Sequence, residues 1–109
     1  MTNGRLVGEK ILEYLDEIDK DGGKSLKWHL IKIAGNEANF ERWVDRCLIR
    51  KYRFVVCIVE DGKELYAKTA EGERAHQFLR TWGSFLPYLA EFGSAKLQPW
   101  LRPAEDLFR

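Results

Sequence analysis

Arg42 and Arg46 stand one helical turn apart, and Asn39 lies one turn before Arg42. A guanidinium fork can donate two hydrogen bonds to guanine O6 and N7, and a carboxamide makes an equivalent pair with adenine. Each good bidentate contact of this kind discriminates between bases by ~1–3 kcal/mol. Around these three side chains lie Lys24, Lys27, Lys32, Arg50, Lys51 and Arg53, cations suited to positioning a phosphate backbone. Residues 24–53 hold eight Lys and Arg against Glu37, Glu41 and Asp45, a local charge of +5. The whole chain carries +1, so the remainder carries −4. A basic block inside a nearly neutral chain points to a local anionic partner, with nucleic acid the first candidate. The bland alternative is a solvated helix face whose arginines pair with acids one turn away.

Other reactive side chains are sparse. Cys47 and Cys57 are too few for a disulfide framework, and Cys47 falls on an apolar stripe, where a thiol acts as a small hydrophobe. His29 and His76 have no Cys or His neighbour at metal-ligand spacing, so neither a metal nor a cofactor is expected. The chain has no Gly-rich phosphate loop and no Ser-His-Asp arrangement, which makes an enzyme the least supported class.

The elements that must position the basic block follow from periodicity. At 109 residues with 45% apolar and 13% aromatic content, the chain suits one packed domain. No run of 18 apolar residues occurs, so no membrane helix is expected, and neither is a signal peptide; a cytoplasmic location is the default. Val7, Ile11, Tyr14, Leu15 and Ile18 form one helical stripe, with Asn3 as N-cap and Asp21–Gly22–Gly23 as the stop. Ser25 is expected to cap a short second helix that buries Leu26, Leu30 and Ile33 and ends at Gly35. Asn36 caps a third helix, whose buried face is Phe40, Trp43, Val44, Cys47 and Leu48. At 100° per residue its outer face carries Ala38, Arg42, Asp45 and Ile49, with Asn39 and Arg46 on one flank.

Beyond Lys51 the period changes. Residues 52–59 read as a strand, Asp61–Gly62 as a tight hairpin turn, and Glu64 to Lys68 as the returning strand. Thr69 caps a last helix with Glu71 and Glu73 in its first turn. Ala75, Phe78, Trp82, Phe85, Leu89 and Phe92 follow at alternating spacings of three and four, with a break expected near Gly83, Ser84 and Pro87. Residues 94–109 read as a tail pinned by Leu97, Trp100 and Leu101.

The order helix, helix, tight turn, helix, hairpin, helix over residues 25–80 resembles the winged helix-turn-helix superfamily of small transcription regulators. The stretch VDRCLIRKYRFVV resembles a recognition helix entering the first wing strand. ELYAKTAEGERAHQFL resembles the second wing strand followed by a Thr-x-x-Gly turn and final helix. The resemblance implies an α+β fold: a three-helix core, a two-stranded hairpin wing and an added C-terminal helix. It implies a positioning helix at about 25–34, a recognition helix at about 37–51 in the major groove, and a wing tip at 60–63 carrying Lys63. It also implies that Asn39, Arg42 and Arg46 face DNA.

On this reading residues 1–93 form the domain, and the helix at about 70–92 joins two copies through Phe78, Trp82, Phe85, Leu89 and Phe92. A two-fold dimer would set two recognition helices about one DNA turn apart. The expected function is regulation of transcription by sequence-specific occupancy of double-stranded DNA. The alternative is a docking module for another protein, which the acidic wing tip of Glu60, Asp61 and Glu64 suits. An effector- or redox-responsive regulator is a third reading.

Overall fold

The computed structural model describes residues 6–83 and residue 100. Helix α1 spans Val7–Lys20 and buries the expected stripe of Val7, Ile11, Tyr14, Leu15 and Ile18. Its first turn is closed by Glu9, whose carboxylate accepts from the backbone N–H of Leu6 at 2.9 Å. Asn3, the expected cap, lies outside the described residues. Gly22 and Gly23 turn the chain at φ 82° and 101°, a region open to glycine at little cost.

The next element differs from expectation. Ser25 caps no helix; it lies in a short strand, β1, Lys24–Leu26, and its buried hydroxyl donates to Asp21 Oδ2 at 2.6 Å. Three residues are too few to show alternation, so β1 is silent in the periodicity. Helix α2 follows at Lys27–Ala34 with Leu26 at its N-cap, and Gly35 ends it in the left-handed conformation as expected. Asn36 does cap the next helix, its side chain accepting from Asn39 N at 2.8 Å.

That third rod begins as α3, Glu37–Phe40, and continues as a π-helical segment, Glu41–Lys51. At its end Tyr52 N donates to Cys47 O, five residues back, at 2.8 Å. Each residue of such a segment turns through less than the 100° of an α-helix, so positions drift backwards around the axis. Ile49 and Asp45, expected on the outer face, are therefore carried inward: Ile49 packs on the core and Asp45 is half-buried. Arg42, Arg46 and Arg50, spaced by four, stay outside.

Strands β2, Val55–Glu60, and β3, Lys63–Lys68, form the expected hairpin, with Asp61 at φ 52° and Gly62 at φ 76° making the turn. β1 pairs antiparallel with the other side of β3, opposing Ser25 to Tyr66, so the sheet order is β1-β3-β2. A bare hairpin is marginal, and the third strand helps to anchor it. Helix α4 spans Ala70–Trp82. Thr69 caps it by accepting from Gly72 N at 3.0 Å, and its own hydroxyl donates to Arg53 O at 2.6 Å. A Cβ on Gly72 would overlap the Phe54 carbonyl, which is why the Thr-x-x-Gly turn needs glycine there.

The core joins the α1 stripe to Leu30, Phe40, Trp43, Val44, Cys47, Leu48, Val55, Tyr66 and Leu79. Phe40 meets Tyr66 edge-on at 5.5 Å, fastening the third rod to the sheet. Trp100 stacks on Phe54, Tyr52 and Phe78, so this residue of the expected tail belongs to the folded unit. Among the described residues the fold is α+β, with four α-helices, one π-helical segment and a three-stranded antiparallel sheet, compatible with a winged-helix-like arrangement. No described helix is long and apolar enough to cross a membrane.

Candidate nucleic-acid interface

The third rod has two unlike flanks. One carries Arg42, Arg46 and Arg50, all exposed, and leads directly to exposed Lys51 and Arg53. Arg46 Nη2 lies 3.5 Å from Glu41 Oε1, both groups largely in solvent, a pair worth at most about 1 kcal/mol. Arg42 and Arg50 have no ion-pair partner among the described residues. Arg53 adopts φ 58°, a left-handed conformation that costs a non-glycine residue about 1–2 kcal/mol. Thr69 fixes it there through the bond to its carbonyl.

The neighbouring flank is acidic, and Glu41 meets Arg46 where the two adjoin. Glu37, Glu41 and Asp45 line a groove of about 300 Å³ with Lys27, whose Nζ is 3.4 Å from Glu37 Oε1. Burial, then repulsion from Glu41, raises the Asp45 carboxyl above its ordinary range, and Glu64 on β3 adds to the effect.

The ten expected contact residues therefore divide. Arg42, Arg46, Arg50, Lys51 and Arg53 are all exposed, on the third rod and the segment just after it, and Lys63 is exposed beside the hairpin turn. Asn39 does not join them freely: it is half-buried, and its side-chain amide donates to Ala34 O at 3.3 Å. Lys24 is held by Glu60 at 2.7 Å, across the sheet. Lys32 lies elsewhere, over the Trp28 ring at 4.5 Å in a groove between α1 and α2. Of the expected pairing residues, Phe78 packs on the core and on Trp100, and Trp82 is 46% exposed. Phe85, Leu89 and Phe92 lie outside the described residues.

Burial pushes the Cys47 thiol up to about 11, as an inert core cysteine requires, whereas Cys57 is exposed on β2.

Neither histidine is isolated. His76 is fully buried on α4: Nε2 is 2.6 Å from Asp16 Oδ1 and Nδ1 is 2.8 Å from Lys68 Nζ. An ammonium can only donate, so Nδ1 accepts, and Nε2–H donates to Asp16. Nε2 also lies 3.3 Å from Arg80 Nε; with its proton directed at the shorter carboxylate contact, that approach is no hydrogen bond. Lys68 reaches Asp19 at 2.7 Å and Glu73 at 2.6 Å, and Arg80 also bonds Asp19. The hydrogen bond from Lys68 holds Asp19 below the usual carboxylate range.

His29 Nδ1 is 2.7 Å from Asp21 Oδ2, and its ring meets Trp28 edge-on at 4.0 Å. Burial opposes ionisation of Asp21, but the hydrogen bonds from Ser25 and His29 outweigh it and lower its pKa. These clusters have no local pattern in the sequence because their partners come from other elements; Asp16 is 60 residues from His76. The signal was faint: a histidine eight residues beyond the acidic end of α1, and a histidine on the inner face of α4.

In comparisons with known proteins, no family model, no curated protein and no solved structure matches this chain.

Proposed function

We propose that this chain is a winged helix-turn-helix protein that binds double-stranded DNA sequence-specifically and regulates transcription by occupancy. The observation that carries the reading is the open row of Arg42, Arg46 and Arg50 on a rod whose other side is fastened into the core. Three further features support it. The order of three helical elements, a hairpin and a closing helix is compatible with a winged-helix-like arrangement, with β1 added beside β3. Lys51 and Arg53, both exposed, follow the row between the rod and the hairpin. The rod also carries a π-helical segment, a rare winding found frequently at functional sites. With Asn39 engaged at Ala34, arginine–guanine pairing becomes the main route of base reading. Pairing of two copies through Trp82 and the residues that follow it belongs to the same proposal, as does a cytoplasmic location.

The test is fluorescence anisotropy with random duplex DNA and then with sequences selected from a random pool. Between about 50 and 300 mM salt, affinity should fall with a log–log slope of about −4 to −5 if four to six phosphates are engaged. Arg42→Ala with Arg46→Ala should abolish sequence preference and leave stability within about 0.5 kcal/mol, because both side chains are exposed. Weak binding with no salt dependence would instead favour the docking module. Trp28, 53% exposed on α2, and Val59, 68% exposed on β2, speak for that second reading.

A further inference from the structure

We propose that Glu17, Asp21 and His29 form a binding site for a divalent transition-metal ion at the junction of α1, β1 and α2. One donor atom from each residue lies within 4.8 Å of the other two. Ligands on a zinc-sized ion are at most about 4.2 Å apart, twice a bond of ~2.1 Å, so small side-chain rotations bring all three into range. None of the three is fully exposed, which spares the site the full screening of bulk water.

The surroundings are built as a second shell would be. Ser25 is completely buried, and its hydroxyl donates to Asp21 Oδ2, fixing that carboxylate in place. Asp21 is the C-cap of α1, so the carbonyl end of the helix dipole faces the ion and favours a cation. His29 Nδ1 already lies against the same carboxylate oxygen; the ion takes the place of the proton these two atoms share. In front of the triad opens a groove of about 540 Å³, lined also by Glu13, Trp28, Lys20 and Lys32. It has room for the waters that complete the coordination. Lys20 and Lys32 are the opposing cations, and Lys32 is turned onto the Trp28 ring.

One imidazole nitrogen with two carboxylate oxygens suits borderline ions such as Zn²⁺ and Co²⁺ rather than thiophilic ones. Binding ties the end of α1 to the first turns of α2 across β1. The inference does not depend on DNA binding, since it concerns a different face of α2 and is read without nucleic acid.

Isothermal titration of Zn²⁺ into the full-length chain, in buffer free of phosphate and chelators, tests it, with Co²⁺ absorption as a second probe. One ion should bind per chain and raise the Tm. His29→Ala and Glu17→Gln should each weaken binding at least tenfold while circular dichroism shows the fold intact. Cys57→Ser should leave it unchanged. Absence of binding at millimolar Zn²⁺ overturns the proposal. So does wild-type affinity in folded Glu17→Gln and His29→Ala, or loss of binding in Cys57→Ser, which would assign the ion to the exposed thiol.

Discussion

Lys68 and Arg42 are cations of one small fold, yet their surroundings are opposite. Lys68 Nζ is within 2.8 Å of Asp19, Glu73 and His76, and its side chain is only 8% exposed. Arg42 is exposed and has no ion-pair partner among the described residues. Around Lys68 the charges join three elements: α1 through Asp16 and Asp19, β3 through Lys68 itself, and α4 through Glu73, His76 and Arg80. Around Arg42 they join nothing across elements. Charges that are spent on each other contribute to folding, and charges left open remain available to a partner. The difference separates the part of the surface that holds the fold from the part that can act.

The largest expected effect lies on the closed side. α4 approaches the Phe54 carbonyl at Gly72 with no space for a methyl group. Gly72→Ala should destabilise by about 3 kcal/mol or more, the upper end of overpacking costs, because backbone must move at the point where Thr69 also bonds Arg53 and Phe54. Urea denaturation measures it. A loss below about 1 kcal/mol would mean that α4 can slide, and that the closed side is not rigid.

Lys68→Met comes next. It keeps the aliphatic stem but leaves His76 Nδ1, Asp19 and Glu73 without their shared donor. Removing one partner of a buried pair costs about 3–5 kcal/mol. Asp19 and Glu73 are partly hydrated, so about 2 kcal/mol is expected from the same denaturation curves. A value under 0.5 kcal/mol, the ordinary range for surface substitutions, would erase the contrast with Arg42.

The pH dependence follows from the same group of residues. Lys68 lowers the Asp19 pKa in the folded state. The stabilisation is therefore complete above the unfolded value of about 3.9 and disappears as pH falls through the lower, folded value. Asp19→Asn should be less stable than the wild type at neutral pH, by about 1 kcal/mol or less because the side chain is 37% exposed. The two should converge as pH falls through the lowered, folded value. Thermal melts at matched ionic strength check it, and a gap that persists undiminished in acid would assign the effect to packing.

How far these features could be read from residues alone depended on range. Asn36, Thr69, Gly35 and the Asp61–Gly62 turn act on neighbours within a few positions, and all four stand where the spacing puts them. The helical stripes were legible because a core face repeats over several turns. β1 was not, since its pairing with Leu65, Tyr66 and Ala67 is forty residues away and it has no period of its own. Nor was the wider winding of residues 41–51, which preserves the inner face of Trp43, Val44, Cys47 and Leu48 and changes only which residues occupy the flanks. That is why the arginine row was partly visible in the sequence while Asp45 and Ile49, expected on the outer face, stand half-buried on its flank. The Lys68–His76 network was invisible for the reason that applies to β1: its members meet only after the chain has folded.

The smallest expected effect tests the open side from its acidic flank. Asp45 is half-buried beside Glu41, and burial first, then that neighbour, raise its pKa in the folded state. A carboxyl raised on folding resists ionisation there, so it lowers stability once pH exceeds the unfolded value of about 3.9, and has no such effect in acid, where both states hold the proton. Asp45→Asn should therefore stabilise the chain at pH 7 by less than about 1 kcal/mol, since Arg50 and Lys27 partly offset the strain, and should change nothing near pH 3. Urea midpoints at the two pH values check it. The same substitution removes a negative charge from the rod that bears Arg42 and Arg46, so on the DNA reading affinity for random duplex should rise at low salt, with the gain fading as salt screens it. Stabilisation without any gain in affinity would separate the acidic flank from the arginine edge and confine the interface to one side of the rod.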